Sequence, residues 1–284
     1  MPATLLPSVY RRFLPVICLP LALLSLVSCF RPKAGVKEAP PVKINVVSDN
    51  TNSAKLDAVM RNAELPAALS ARIKTAANAS PTFMADLSAC LEGDRYLRAL
   101  VDKKHSLPTG YAPADLVALT EGSYRVSRSG LTLRRAAATA LDEMAKAARA
   151  DGVTLVASST YRSYDYQTQV YNRNVREMGQ AAADRESAKP GHSQHQTGLV
   201  VDFGSIDDSF AATAAGRWMK SNASRFGWSL SFPDGYEAVT GYRWESWHYR
   251  YVGKPLAAFI DNYFDGIQQY ALRFLYEWEQ ADKP

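Results

Sequence analysis

Apolar positions recur at steps of three and four from residue 56 onward. Leu56, Val59 and Met60 begin one face, and Phe83, Leu87, Cys90 and Leu91 continue the spacing, so residues 56–104 read as helical. Within that stretch, residues 97–101 fit either a strand or the end of a helix. Pro108, Gly110 and Pro113 mark residues 107–113 as a turn-rich loop. A long helix is predicted over 133–150, whose interior is rich in Ala, Leu, Met and Arg and holds no Gly or Pro. Gly152 supplies its stop. Residues 154–158 alternate apolar and small side chains, with β-branched Thr154 and Val156, and read as a strand. A second helix follows over 163–178. Strands are expected at 198–203, 227–232 and 248–252, with a helix at 218–226. Leu256, Phe259, Ile260, Tyr263 and Phe264 return to helical spacing, which predicts a packing helix over 256–284. Helices lead and strands dominate later, so the class is α+β.

The front of the chain departs from this pattern. Residues 1–28 hold no acid, and Arg11 and Arg12 precede an almost wholly apolar run over 13–27. That run has the length of a signal-peptide core and falls short of the about 20 residues a spanning helix needs. Leu26-Val27-Ser28-Cys29 resembles a bacterial lipobox, in which the chain is cut before the cysteine and the cysteine is lipidated. The expectation is a signal peptide over 1–28, lipidation of Cys29, and a tether over 29–55 with a short extended piece at 43–47. The protein would then be a lipoprotein of the cell envelope, held to a membrane, with its catalytic part in the periplasm or another extracytoplasmic space.

Charge and cysteines narrow the partners. The formal charge is +5, and loss of Arg11 and Arg12 with the signal takes it to +3. That excess is too small for a nucleic-acid protein, which carries a basic patch or stripe. Of the three cysteines, Cys18 leaves with the signal and Cys29 would be acylated. Cys90 is then alone and reads as a buried small apolar residue. About 200 residues remain for one compact domain with a sizeable core.

Two stretches carry the chemistry. One runs from Lys189-Pro190-Gly191-His192 through His195 and Gly198 to Asp202, and the other from Glu245 through His248 to Gly253. They supply histidines and a carboxylate that suit zinc, which accepts neutral imidazole and carboxylate and keeps one position open in catalytic sites. His195 and Asp202 are seven apart, an odd step that would put them on opposite faces of an unbroken strand. Gly198 between them permits the turn that lets both converge. Past that turn Val201 and Phe203 would point into the core, and His248 would arrive on a neighbouring strand. Glu245 lies an odd step from His248, so it is expected on an entering turn, where a glutamate that binds no metal faces the attacking water as general base. His192 competes with His195 as a ligand, and spacing leaves that choice open.

Ser193-Gln194-His195-Gln196-Thr197-Gly198-Leu199-Val200-Val201-Asp202 resembles the Ser-x-His-x-x-Gly-x-Ala-x-Asp motif of the VanY-like zinc D-alanyl-D-alanine carboxypeptidases, in the lysostaphin, D-Ala-D-Ala peptidase and hedgehog superfamily. The segment from Glu245 to Gly253 is similar to the family's Glu-Pro-Trp-His-x-Arg-Tyr-Val-Gly run. Ser159-Thr160-Tyr161-Arg162-Ser163-Tyr164 with Gln167 is similar to its Ser-x-Tyr-Arg-Ser-Tyr-x-x-Gln run. The likeness extends over residues 95–255. It implies an α+β fold with a small central antiparallel sheet carrying the zinc site, flanked by helices. It bounds a zinc domain over 95–255, which leaves the helical stretch before it as an N-terminal extension over 56–94 and the packing helix after it as a C-terminal helix over 256–284.

The resemblance also implies roles. His195, Asp202 and His248 would ligate Zn2+, and Glu245 would be the catalytic base and acid. Arg162 would polarise the scissile carbonyl, and Gln167 and Ser193 would bind substrate. His192 falls at a variable motif position and drops out of the ligand set. The implied reaction removes the terminal D-alanine from peptidoglycan stem pentapeptides. Alternatives are an L,D-carboxypeptidase acting on tetrapeptides, a dipeptidase for free D-Ala-D-Ala, and a non-catalytic zinc-containing wall-binding lipoprotein. Val200 stands in place of the family's small Ala, Ser246 in place of Pro, and Ser231-Phe232-Pro233 in place of Arg-Tyr-Pro.

Overall fold

Pro66 and Pro81 divide the leading helical stretch. Proline suits the start of a helix and not its interior, and each sits at an N-cap in the computed structural model, which describes residues 47–108 and 110–283. The result is three helices: α1 (Val47–Asn62), α2 (Ala67–Ala79) and α3 (Thr82–Leu91). Residues 47–55, expected within the tether, belong to α1. The signal peptide, Cys29 and the rest of the tether lie outside the described residues. No helix among the described residues is long and apolar enough to cross a membrane. Residues 97–101 form neither strand nor α-helix; a 3-10 turn at Arg95–Leu97 leads into loop.

Three short strands follow: β1 (Leu116–Ala118), β2 (Arg125–Val126) and β3 (Thr132–Arg134). Leu133, expected to open the long helix, is therefore in a strand, and α4 runs Arg135–Ala150. Its inner face of Ala137, Leu141, Met144 and Ala148 is fully buried. Next come β4 (Val156–Ser159), α5 (Tyr164–Met178), α6 (Gln180–Glu186), β5 (Val200–Phe203), α7 (Ala214–Asn222) and β6 (Trp228–Leu230). The chain ends with α8 (Glu237–Thr240), β7 (His248–Tyr251), α9 (Lys254–Tyr263) and α10 (Gln268–Gln280). The single C-terminal helix expected over 256–284 is thus two helices. Asp265 and Gly266, at φ 55° and 74°, turn the chain between them.

The central sheet has strand order β2-β4-β5-β7-β6. Its neighbours are antiparallel except β2 and β4, which run parallel. β1 and β3 form a separate antiparallel pair. One face of the sheet is apolar: Ala157, Val201, Phe203, Trp228 and Tyr249 join the inner face of α4 in one core. A second core joins α1, α2 and α3 to α9 and α10 around Phe83, Leu87, Phe259, Phe264 and Phe274. All described residues fall in one compact unit.

Candidate metal centre

The odd steps in the sequence are resolved by three local devices. Gly198 adopts φ +70°, and a Cβ there would lie 2.8 Å from Arg134 Cγ and 3.1 Å from Leu116 Cδ2. Only glycine fits that backbone in that space. It closes a 3-10 turn, Gln194–Thr197, that carries His195, and releases the chain into β5. Val201 and Phe203 then face the core while Asp202 faces the other way, as strand alternation requires. Asp202 is the register partner of His248 on β7. On β4, a bulge sets Ala157 opposite Phe203 but Ser159 opposite Asp202. The extra residue turns the end of β4 toward the polar face, where Thr160 and Arg162 follow. Glu245 precedes β7 on a turn closed by His248 N–H donating to the Glu245 carbonyl at 3.2 Å.

These devices bring His195, Asp202 and His248 together, all buried, with one candidate ligand atom of each lying within 4.8 Å of the others. His195 Nε2 is 3.2 Å from Asp202 Oδ2, and His248 Nδ1 is 3.2 Å from Asp202 Oδ1. Tetrahedral zinc with bonds of about 2.0–2.1 Å separates adjacent ligand atoms by about 3.3 Å. Asp202 Oδ1 is buried and accepts no hydrogen bond among the described residues. A buried carboxylate oxygen left in that condition is costly without a cation. Donor set, spacing and orphaned oxygen all fit a zinc-type divalent ion.

The two histidines differ in charge. His195 Nδ1–H donates to the Thr160 carbonyl at 2.7 Å, which leaves Nε2 as the free lone pair. Burial and the Arg162 guanidinium, whose Nη2 donates to that Nε2 at 2.7 Å, pull His195 down to about 4. Burial acts on His248 too, but Asp202 and Glu245 (Oε2 3.2 Å from Nδ1) outweigh it and raise His248 to about 9. Burial opposes ionisation of Asp202, yet the two histidines hold its carboxyl well below the usual range.

Arg162 reaches across the group. Nη2 also donates to Asp202 Oδ2 at 3.2 Å, and Nη1 donates to Gln167 Oε1 at 3.1 Å. Gln167 is fully buried, and its Nε2 donates to the Ala188 carbonyl at 2.7 Å. Each end of that amide is hydrogen-bonded within the protein, and Gln167 braces Arg162. Ser193 lines the cleft, and its hydroxyl makes no hydrogen bond to a described residue. His192 stands apart from the ligand group and points its Nδ1 at the Asp102 carbonyl, 2.8 Å away. The cleft above the site holds about 580 Å³ and is lined by Arg162, Ser193, His195, Asp202, Glu245 and His248 among others. That is the size of a small-ligand pocket.

A family model described as D-alanyl-D-alanine carboxypeptidase, VanY, matches residues 130–254. The YodJ protein of Bacillus subtilis (strain 168) is 36% identical over 187 residues, covering 63% of this chain and 68% of that protein. The chain belongs to the VanY family. This VanY-family chain spans about half the length of two enterococcal D-alanyl-D-alanine carboxypeptidases it also matches. Among solved structures, the LdcB LD-carboxypeptidase is 37% identical with TM-score 0.55, over 60% of this chain and 86% of that one. A mutant VanY D,D-pentapeptidase from a VanB-type resistance cassette, in complex with Zn(II), is 31% identical with TM-score 0.51, over 61% and 96%.

Sequence reasoning assigned nothing to Arg250, Gln194, Ser231 or Gln268. Arg250 is fully buried and its Nη2 donates to the carbonyls of Tyr96, Leu97 and Ala99, pinning the 3-10 segment to β7. Ser231, at the position of the family's arginine, faces inward and donates to Gln194 Oε1 at 2.7 Å. Gln194 and Arg250 lie within the two motifs and Ser231 at a departure from them, but no periodicity or spacing gives their partners, and none connects Gln268 to the site.

Proposed function

We propose that this VanY-family carboxypeptidase binds Zn2+ through His195, Asp202 and His248 and removes the terminal D-alanine from peptidoglycan stem pentapeptides. The observation that carries the reading is the convergence of the three candidate ligands with Glu245 on one side and Arg162 on the other, at the floor of one cleft. A structural metal site needs neither of the last two, which argues against a non-catalytic wall-binding protein. When bound, zinc supplies Lewis acidity and lowers the pKa of water at its open position to about 7.

The chain's own groups account for the rest. Glu245 takes a proton from the attacking water and returns it to the leaving amine. Arg162, braced by Gln167, offers N–H donors to the oxygen on which charge develops. Ser193 offers a free hydroxyl to the peptide. Arg128 and Arg173 line the same cleft and form no ion pair among the described residues, which suits a peptide rich in carboxylates.

The likeness to LdcB supports a second reading, an L,D-carboxypeptidase trimming tetrapeptides. Mass spectrometry after incubation with stem pentapeptide, tetrapeptide and free D-Ala-D-Ala, with and without a chelator, separates them. Chelator-sensitive loss of one alanine from the pentapeptide alone supports the first reading. Loss from the tetrapeptide alone replaces it with the second, and no turnover of any peptide rejects both.

The leader-like residues 1–28 and Cys29 support an envelope location with a lipid anchor. Cys29→Ser should move the protein out of the membrane fraction; a variant that stays there would reject the anchor.

A further inference from the structure

Gln268 opens α10, outside both motifs and 20 residues after His248, and it is 1% exposed and packed behind the metal centre. Its Nε2 donates to the Ser229 carbonyl at 3.2 Å. A backbone carbonyl only accepts, so this contact fixes which way the Gln268 amide faces. Its Oε1 is thereby turned toward Gln194, whose Nε2 donates to it at 3.5 Å. The Gln194 amide is fixed in turn, and its Oε1 receives the Ser231 hydroxyl at 2.7 Å. The same Oε1 lies 3.4 Å from His248 Nε2. Facing an acceptor, Nε2 carries a proton, and Nδ1 is the nitrogen presented to Asp202. Ser231 and Gln268 are buried behind the cleft that Gln194 and His248 line, so bulk water does not reach the rear of the relay to replace a missing partner.

We infer that Ser231 and Gln268 are positioning residues which, through Gln194, fix the ring nitrogen that His248 offers to the metal. The inference rests on the reading of His248 as a zinc ligand. It gives α10 a part in the centre: a helix from the second core sets the polarity of a hydrogen-bond relay that ends on a ligand. Partners behind a ligating histidine fix its tautomer and orientation, and their loss costs about 10–100-fold in metal affinity or activity.

The test is Zn2+ affinity of the purified full chain, measured by competition with a chromogenic chelator. Gln268→Met keeps the volume and removes both polar atoms; it should weaken zinc binding about tenfold. Ser231→Ala, a smaller change, should weaken it in the same direction by about threefold. Gln269→Met is the control: Gln269 is buried on the same helix, but its amide goes to Asp102 Oδ2 at 2.7 Å, away from His248. It should leave zinc affinity within about twofold of wild type. Nitrogen NMR of the zinc-loaded wild type should show His248 protonated at Nε2. Wild-type affinity in both Gln268→Met and Ser231→Ala, equal weakening by Gln269→Met, or a ring protonated at Nδ1 would each overturn the inference while leaving the zinc reading intact. A wild-type chain that binds no zinc would overturn both.

Discussion

Glu245 and His248 are three residues apart and share one interaction, with the Glu245 carboxylate 3.2 Å from the ring nitrogen that faces Asp202. Glu245 sits on a turn and not on β7, so its side chain approaches from beside the ligand group. Its replacement separates proton transfer from metal holding. Glu245→Gln should lower kcat by about 10²–10⁴-fold and leave zinc content at one ion per chain, measured by atomic absorption beside the peptide assay. A variant that loses zinc with activity would move Glu245 into the ligand set. At this scale the motifs were legible, because residue chemistry and Gly198 foretold the convergence of His195 with Asp202. The choice between His195 and His192 was not legible from spacing. It depends on which side of the 3-10 turn each ring leaves, and His192 leaves toward the Asp102 carbonyl.

Elements with a long period were readable, and short ones were not. α4 and α5 announced themselves over four turns, whereas β1, β2 and β3 have two or three residues each, too few to show alternation. Asp265-Gly266 is a turn signal, and it breaks the C-terminal helix that apolar spacing alone ran together. Asp102 shows how such elements are joined. Its Oδ1 accepts from the backbone N–H of Lys104 and His105 and from the His105 ring, while Oδ2 accepts from Gln269 on α10. Burial alone would raise its carboxyl, but these donors hold it below the ordinary 3.8. A depressed folded-state value favours the ionised folded form, so the stabilisation is complete above about 3.8 and is lost as pH falls through the lower folded-state value. Asp102→Asn should cost about 1–3 kcal/mol at neutral pH and flatten the acid side of the stability profile. Thermal unfolding between pH 3 and 7 checks both; a variant as acid-sensitive as wild type would exclude Asp102 as the source.

On the scale of the whole molecule, the helices before and after the sheet depend on each other. Leu256, Phe259, Phe264, Leu272, Phe274 and Leu275 from α9 and α10 are buried against α1, α2 and α3. At about 1.5–3 kcal/mol for each large apolar side chain, six of them rival the about 5–15 kcal/mol that a domain has in total. A chain ending at residue 253 should therefore fail to fold, read as insoluble expression and loss of circular dichroism. A soluble, folded truncation would show that the sheet core suffices alone. Neither the pairing of these helices nor the sheet order follows from any local pattern: the helices meet across more than a hundred positions, and the strands pair across 19 to 50.

Cys90 lies in this shared helical core, nearly inaccessible, and burial with the nearby Asp86 carboxylate pushes its thiol up to about 12. It is the only cysteine after residue 29. The folded domain thus carries one silent thiol that reacts when its helices part. A maleimide added at neutral pH becomes a clock for that parting, and it runs without an engineered label.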